Sequence, residues 1–344
     1  QQLYNVADTL IVGRFLGNVA LAAVGSAFSL MILLTSLVLG LCMGSGVVFS
    51  QLYGEGNRDK LKTAMTNAFC LIAALSLLLT ALSYALLDAF IVLLRVPPEA
   101  VPDITSYLRV IFAGIFFTFL YNFFAAALRS VGNSFASLLF LLLSTVVNIA
   151  LDLLFVIVFH WGVSGAALAT VISQAVCGIV ALRLLYSRHR LIASPRIPRD
   201  TLGKAWKTII RFAVPATLGM LLMPIGSAVI TRIVASFGDA AVAGTAAASR
   251  LEVVAFIFPM ALGIALMPMV AQNYGARRFD RINQCRRFAM RFAGGFLLTM
   301  AVIYFFAAPY VVGWFSKDPE GQRIMILYLR IVSFGFAAVE IHRF

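Results

Sequence analysis

The sequence predicts an all-α polytopic membrane protein built as two six-helix bundles, and three observations carry that prediction. Of the 344 residues, 62% are hydrophobic and 12% charged, with a mean hydropathy of +0.97, whereas a soluble domain has about 45–50% apolar residues. The apolar residues gather into uncharged runs of ~20, the length a helix needs to cross ~30 Å of hydrocarbon, and the short alternating segments of an outer-membrane barrel are not the pattern. Third, the chain repeats itself at a constant offset of 221 residues.

Ten spans follow in order, near 1–16, 21–52, 63–94, 103–128, 134–159, 163–186, 208–236, 242–272, 288–315 and 323–344. The first carries Asp8 and runs up to Gly17, and the second holds Gly40, Gly44 and Gly46, whose spacing lets helices approach closely. The third follows Arg58, Lys60 and Lys62; the fourth lies between Asp103 and Arg129; the fifth and sixth flank His160 to Gly162. Pro215 and Pro224 interrupt the seventh, Pro259 and Pro268 the eighth, where freed carbonyls need internal partners and bending is permitted. The ninth follows the Arg277–Arg291 segment and the tenth the Lys317–Arg323 loop.

Basic residues fall after every second span, at Arg58 to Lys62, Arg129, Arg183 to Lys207 and Arg277 to Arg291, so those ends face the cytoplasm. The net charge of +13 is therefore topological, and no nucleic-acid partner is expected. Cys42, Cys70, Cys177 and Cys285 have neither CxxC nor metal-ligand spacing and read as packing residues.

The repeat divides the chain. SQLYGEGNRDKL at Ser50 matches AQNYGARRFDRI at Ala271, pairing Gln51 with Gln272, Tyr53 with Tyr274, Gly54 with Gly275 and Asp59 with Asp280. The same offset pairs Gly17 with Gly238, Pro98-Glu99 with Pro319-Glu320, Tyr107-Leu108-Arg109 with Tyr328-Leu329-Arg330, and Gly114 with Gly335. Six spans separate equivalent positions, an even number, so the copies share one orientation and form a parallel repeat. This gives an N-terminal lobe at 1–187, a basic linker at 188–207 and a C-terminal lobe at 208–344. About ten spans are present and the repeat implies twelve, so we expect a chain incomplete at both ends, lacking the start of the first helix and the last two.

An ionisable group inside the bilayer costs at least ~2.5 kcal/mol at the helix centre and calls for a partner, a watery cavity or a proton. Asp8, Asp152, Glu252 and Glu340 are the candidates. Asp8 lies nine residues before Gly17 and Asp152 eight before His160, which puts them ~13 and ~12 Å from the outer ends of their spans. Asn148 is one turn from Asp152, Thr170 lies at matching depth on the sixth span, and Tyr107 is slightly shallower. Offset 221 puts Val229 in the place of Asp8, so the second lobe has no equivalent acid. Two readings stand. Either these groups tie neighbouring helices together, or they bind H⁺ or Na⁺, because two adjacent carboxylates in low dielectric cannot both stay ionised without a cation. Glu252 is expected in a substrate cavity together with Met31, or else packed against an unseen partner; Arg109 and Arg330 are expected to reach the interface.

VADTLIVGRFLGNVALAAVG (6–25), NIALDLLFVIVFHWGVSGAALATVISQ (148–174) and the paired QLYG and QNYG segments resemble the multidrug and toxic compound extrusion (MATE) family, in particular its DinF-like prokaryotic branch. The likeness covers nearly the whole chain. It implies twelve helices in two lobes and efflux of cationic or amphipathic compounds coupled to H⁺ or Na⁺ entry. It implies a cation-coupling set of Asp8, Asn148, Asp152 and Thr170, with Tyr107 a weaker match, and no metal beyond Na⁺ at Asp8, Asn148 and Asp152. The seventh helix here, PATLGMLLMPIGSAVITRIVA, lacks the acid some members carry.

The expectation is thus a transporter and not an enzyme: a secondary active multidrug exporter working as a cation-coupled antiporter, multi-pass in a prokaryotic cytoplasmic (inner) membrane, monomeric, with no cofactor besides the coupling ion. The alternative is a lipid-linked precursor flippase of the same superfamily, which would want several cavity Arg or Lys residues for an anionic head group. A non-transporting scaffold or channel fits the asymmetric polar site less well.

Overall fold

In hydrocarbon every backbone N–H and C=O must be satisfied inside its own segment, so the apolar runs have helix as their solution. The computed structural model describes residues 2–94, 96–187, 199–314 and 319–343, and among them there is no strand. The helices are α1 (Gln2–Phe15), α2 (Asn18–Gly54), α3 (Arg58–Ala85), α4 (Leu87–Leu93), α5 (Val101–Ser130), α6 (Ser134–Asp152), α7 (Gly162–Ser187), α8 (Arg199–Ala235), α9 (Asp239–Gly275), α10 (Phe279–Val311) and α11 (Pro319–Arg343). Each of the ten predicted spans is carried by one of these, the third by α3 with α4, and the fifth by α6 with a π-helical turn at Leu153–Val158. Eight are long and apolar enough to cross a membrane, α1 and α11 being the first and last of the ten. α8 and α9 run on through their prolines as continuous helices.

The repeat is visible in the backbone. Gly17 (φ 86°) and Gly238 (φ 101°) precede α2 and α9 in the same left-handed conformation, which costs glycine nothing. At the far ends of those helices, Glu55 and Ala276 donate to Gln51 and Gln272, and the next residues, Gly56 (φ 73°) and Arg277 (φ 57°), donate to Tyr53 and Tyr274 at 3.0 Å. Asn57 then caps α3 through its side chain, accepting from the Lys60 N–H at 3.0 Å.

Two compact units divide within α8, after Leu221. The basic segment 188–207 is helical from Arg199 onward, and 188–198 lie outside the described residues. In the first unit α5 is the central helix, apolar on all sides and packed by α2, α3 and α7. Phe112, Phe119, Phe123 and Phe124 are buried, and Phe69 of α3 lies 5.6–5.9 Å, centroid to centroid, from the last three. The α5–α7 crossing is close because both helices give up a side chain there. A Cβ on Gly178 would meet Leu120 and the Tyr121 nitrogen at 3.2 Å, and one on Gly114 would collide with Val171. Gly40 and Gly44 of α2 likewise leave no room for a Cβ against Thr217 and Ala213, in keeping with the small-residue spacing. The second unit contains α9, α10 and α11, joined by two small clusters, one of Ala248, Ala308, Val312, Met325 and Leu329 and one of Ala255, Leu297 and Phe336.

Candidate cation site and cavity

Three helices of the first unit, α1, α6 and α7, bring four of the expected polar residues together. Asn148 and Asp152, one turn apart on α6, are both 0% exposed, and Thr170 of α7 is 8% exposed. The Asn148 amide nitrogen donates to Thr170 Oγ1 at 3.2 Å, and the Thr170 hydroxyl donates to Asp8 Oδ2 at 3.2 Å, with the Ala166 carbonyl at 3.3 Å as its other acceptor. The Asp8 carboxylate also borders Asp152 and Asn148. α6 ends at Asp152, where the wider π-helical turn begins. Beyond it Phe155, Phe159 and Trp161 stack with centroids 4.9–6.0 Å apart.

The balance of donors and acceptors gives this cluster its chemistry. Asp8 Oδ1, Asn148 Oδ1 and both Asp152 oxygens are buried with no hydrogen-bond donor. Among the described residues no basic side chain offsets the two acids. Four inward-facing acceptors lack hydrogen, and a proton shared between the carboxylates or a hard cation with oxygen ligands supplies what is missing. Among the described residues no three His, Cys, Asp or Glu side chains cluster in a way that would hold a metal.

Asp8 and Thr170 have a second face. They line a cavity of about 240 Å³, together with Met31, Tyr107, Thr118 and Gln174. Asn148 and Asp152 do not reach it, so Asp8 stands between the cavity and the fully buried acid. Tyr107 is on the cavity wall, its hydroxyl donating to Met31 Sδ at 3.1 Å, and is not one of the four clustered residues. Sequence reasoning missed Gln174 and Thr118. The Thr118 hydroxyl donates to Gln174 Oε1 at 2.6 Å, one turn along α7 from Thr170. The signal was present, since Gln174 is four residues after Thr170 and shares its face.

In the second unit Glu252 of α9 accepts from the Tyr328 hydroxyl of α11 at 2.6 Å. Arg109 and Arg330 are both exposed, and Arg330 lies 5.4 Å from the centre of the Phe305 ring. The side chain of Glu340 is outside the described residues.

Helices that cross a membrane in two parallel copies, with a buried acid pair behind a cavity in one of them, define a membrane transporter. The MatE family model matches residues 1–154 and 215–341, one segment in each copy of the repeat, and the chain belongs to that family. It is 28% identical over 347 residues to the probable multidrug resistance protein YpnP of Bacillus subtilis, covering 99% of this chain and 76% of the relative. It is 29% identical over 345 residues to an FAD transporter of Shewanella oneidensis, covering 98% and 75%. Its fold matches the Vibrio cholerae MATE transporter VcmN in the bent form with a TM-score of 0.91 at 26% identity, over 99% of this chain and 77% of that one. Membership makes the protein a multi-pass membrane transporter and not an enzyme.

Proposed function

We propose that the protein is a secondary active multidrug exporter, in which H⁺ or Na⁺ entering through the Asp8, Asn148, Asp152 and Thr170 cluster drives cationic or amphipathic compounds out. The observation that carries this reading is the set of four buried acceptor oxygens without donors, one of them on an acid that also lines a cavity. A cation in the cluster neutralises Asp8 and gives α1 a reason to close on α6 and α7. Without it, Asp8 is a negative wall for the cavity and attracts an organic cation. Ion and substrate thus favour different states of one side chain, the differential affinity that coupling requires. We place the protein, as a monomer, in the cytoplasmic membrane of a prokaryote, on the basic loops and on its bacterial relatives, some of which are described as multidrug resistance proteins.

The flippase alternative gains nothing from the cavity, which among the described residues is lined by Asp8 and by no Arg or Lys, the reverse of what an anionic head group needs. The test is uptake of ethidium into inverted vesicles under separately imposed Na⁺ and H⁺ gradients. We expect wild-type transport to follow one gradient and Asp8→Asn to lose that dependence. Undiminished, gradient-driven transport by Asp8→Asn would sink the coupling assignment.

A further inference from the structure

The cavity beside Asp8 ends on a packed floor, and beneath that floor lies an arginine. α2, α5 and α7 line the cavity as far as Leu39, Thr118 and Gln174. About one turn further along the same helices, Cys42, Tyr121, Asn122 and Cys177 are all buried. At this level Gly178 lets α7 close on Leu120 and Tyr121 of α5. On all three helices this is the direction that the basic loops assign to the cytoplasm.

Arg129, in the last turn of α5, is one of the basic residues that mark that side, yet it is placed unlike its neighbours in the pattern. Arg58 and Lys60 are exposed, whereas Arg129 is half-buried and donates from Nη1 to Oγ of the buried Ser137 of α6 at 3.0 Å. Helical side chains lean toward the N-terminus of their helix. The guanidinium accordingly reaches back toward the membrane centre, into Coulombic range of Tyr121 and Cys42, two residues of the floor. Among the described residues no carboxylate offsets its charge, and a guanidinium keeps that charge where an amine would shed it. A residue that only sets topology would turn to water. We infer that Arg129 is the electrostatic barrier that closes the cytoplasmic end of the first unit to the coupling cation. This deepens the exporter reading and rests on it.

An antiporter conserves its gradient only if a cation that reaches Asp8 cannot continue alone to the other side. Close packing stops a hydrated ion, but a proton can pass along hydroxyls and amides. Such a row leads down from the cavity: Thr118 donates to Gln174 at 2.6 Å, and the Asn122 amide donates to the Thr118 carbonyl at 2.8 Å, beside Tyr121. Arg129 stands eleven residues past Thr118 on α5, ~16 Å along the helix, with its side chain spanning part of that distance. A fixed positive charge at the end of a polar row repels any cation that enters it, as arginines do in water-selective pores. Ser137 is a positioning residue, holding the guanidinium inward.

The test is passive ion flux in proteoliposomes without substrate, under a clamped membrane potential, with H⁺ followed by an entrapped pH dye and Na⁺ by radiotracer. Thermal stability and ethidium counterflow, which needs no ion gradient, are measured on every variant. We expect wild type to be tight and Arg129→Met to leak the coupling cation about tenfold faster, the order of one unit charge removed at ~10 Å with an effective dielectric of about 20. Arg129→Lys, which keeps the charge, should stay within about threefold of wild type. Ser137→Asp leaves the arginine in place and cancels its charge, so it should leak like Arg129→Met, and it carries the test if Arg129→Met does not fold. Counterflow should be unchanged in all three. Tight vesicles with folded Arg129→Met or Ser137→Asp would overturn the inference, and so would equal leaks in Arg129→Lys and Arg129→Met, which would make the arginine a packing residue. Either result leaves the exporter reading standing. A wild type that exchanges no ethidium overturns the exporter reading, and the barrier with it.

Discussion

At the scale of residues, the function turns on where hydrogen atoms are lacking. Thr170 is the single hydroxyl that joins the amide of Asn148 to the carboxylate of Asp8, and its one hydrogen is shared between Asp8 and the Ala166 carbonyl. Thr170→Val keeps the shape and removes both roles, and a lost hydrogen bond to a charged group is worth about 1.5–3 kcal/mol. We therefore expect the ion dependence of ethidium transport to shift about tenfold or more with little change in the amount of folded protein: to weaker binding for Na⁺, which loses an oxygen ligand, and to tighter binding for a proton, because the lost hydrogen bond held the charged carboxylate. Asp8, Asn148, Asp152 and Thr170 were legible in the sequence because a polar residue in a long apolar run is conspicuous, and counting at 1.5 Å per residue gives its depth. The contacts of Met31 and Glu252 were not legible in the same way. Offset 221 pairs the two positions, but the side chains share no chemistry, and the matching tyrosine contacts appear only in the tertiary structure.

At the scale of elements, two features position the site. The α5–α7 crossing depends on Gly114 and Gly178, and it carries Thr170 and Gln174 up to the cavity beside Thr118. The π-helical turn after Asp152 is the second, and its pattern of apolar residues, LLFVIV, gives no sign in sequence that the ladder widens there. The turns after α2 and α9 carry a sharper lesson. The first places Gly56 in the left-handed region, while the second puts Arg277 there, at φ 57°. A side chain in that conformation costs about 1–2 kcal/mol. Arg277→Gly should accordingly raise the unfolding temperature, measured by tryptophan fluorescence in detergent, whereas Gly56→Ala should lower it. An unchanged or lower midpoint for Arg277→Gly would mean that the arginine recovers the strain through contacts of its own.

For the whole molecule, the asymmetry between two copies of one fold is the central fact: the buried cluster of Asp8, Asn148, Asp152 and Thr170 belongs to the first copy and the Glu252–Tyr328 contact to the second. Ligand that binds only the folded state stabilises it, by about 2.7 kcal/mol at a hundred times its dissociation constant. A Na⁺ site therefore gives a melting temperature that climbs with Na⁺ at constant pH. A proton site gives one that climbs as the pH falls and is indifferent to Na⁺, because the protonated form is then the stabilised one. Asp8→Asn and Asp152→Asn should flatten whichever dependence wild type displays, and retention of that dependence in both would move the coupling site elsewhere. The sequence by itself determined the membrane class, the ten helices and the repeat, since hydrocarbon forces each apolar run into its own helix. It did not determine which side of each helix faces inward. Lipid is as apolar as a helix interface, so no alternation of polar and apolar residues marks the buried face. Only the tertiary structure set Thr170 against Asp8, 162 residues away, put Tyr107 on the cavity wall with Asp8, and paired Glu252 with Tyr328.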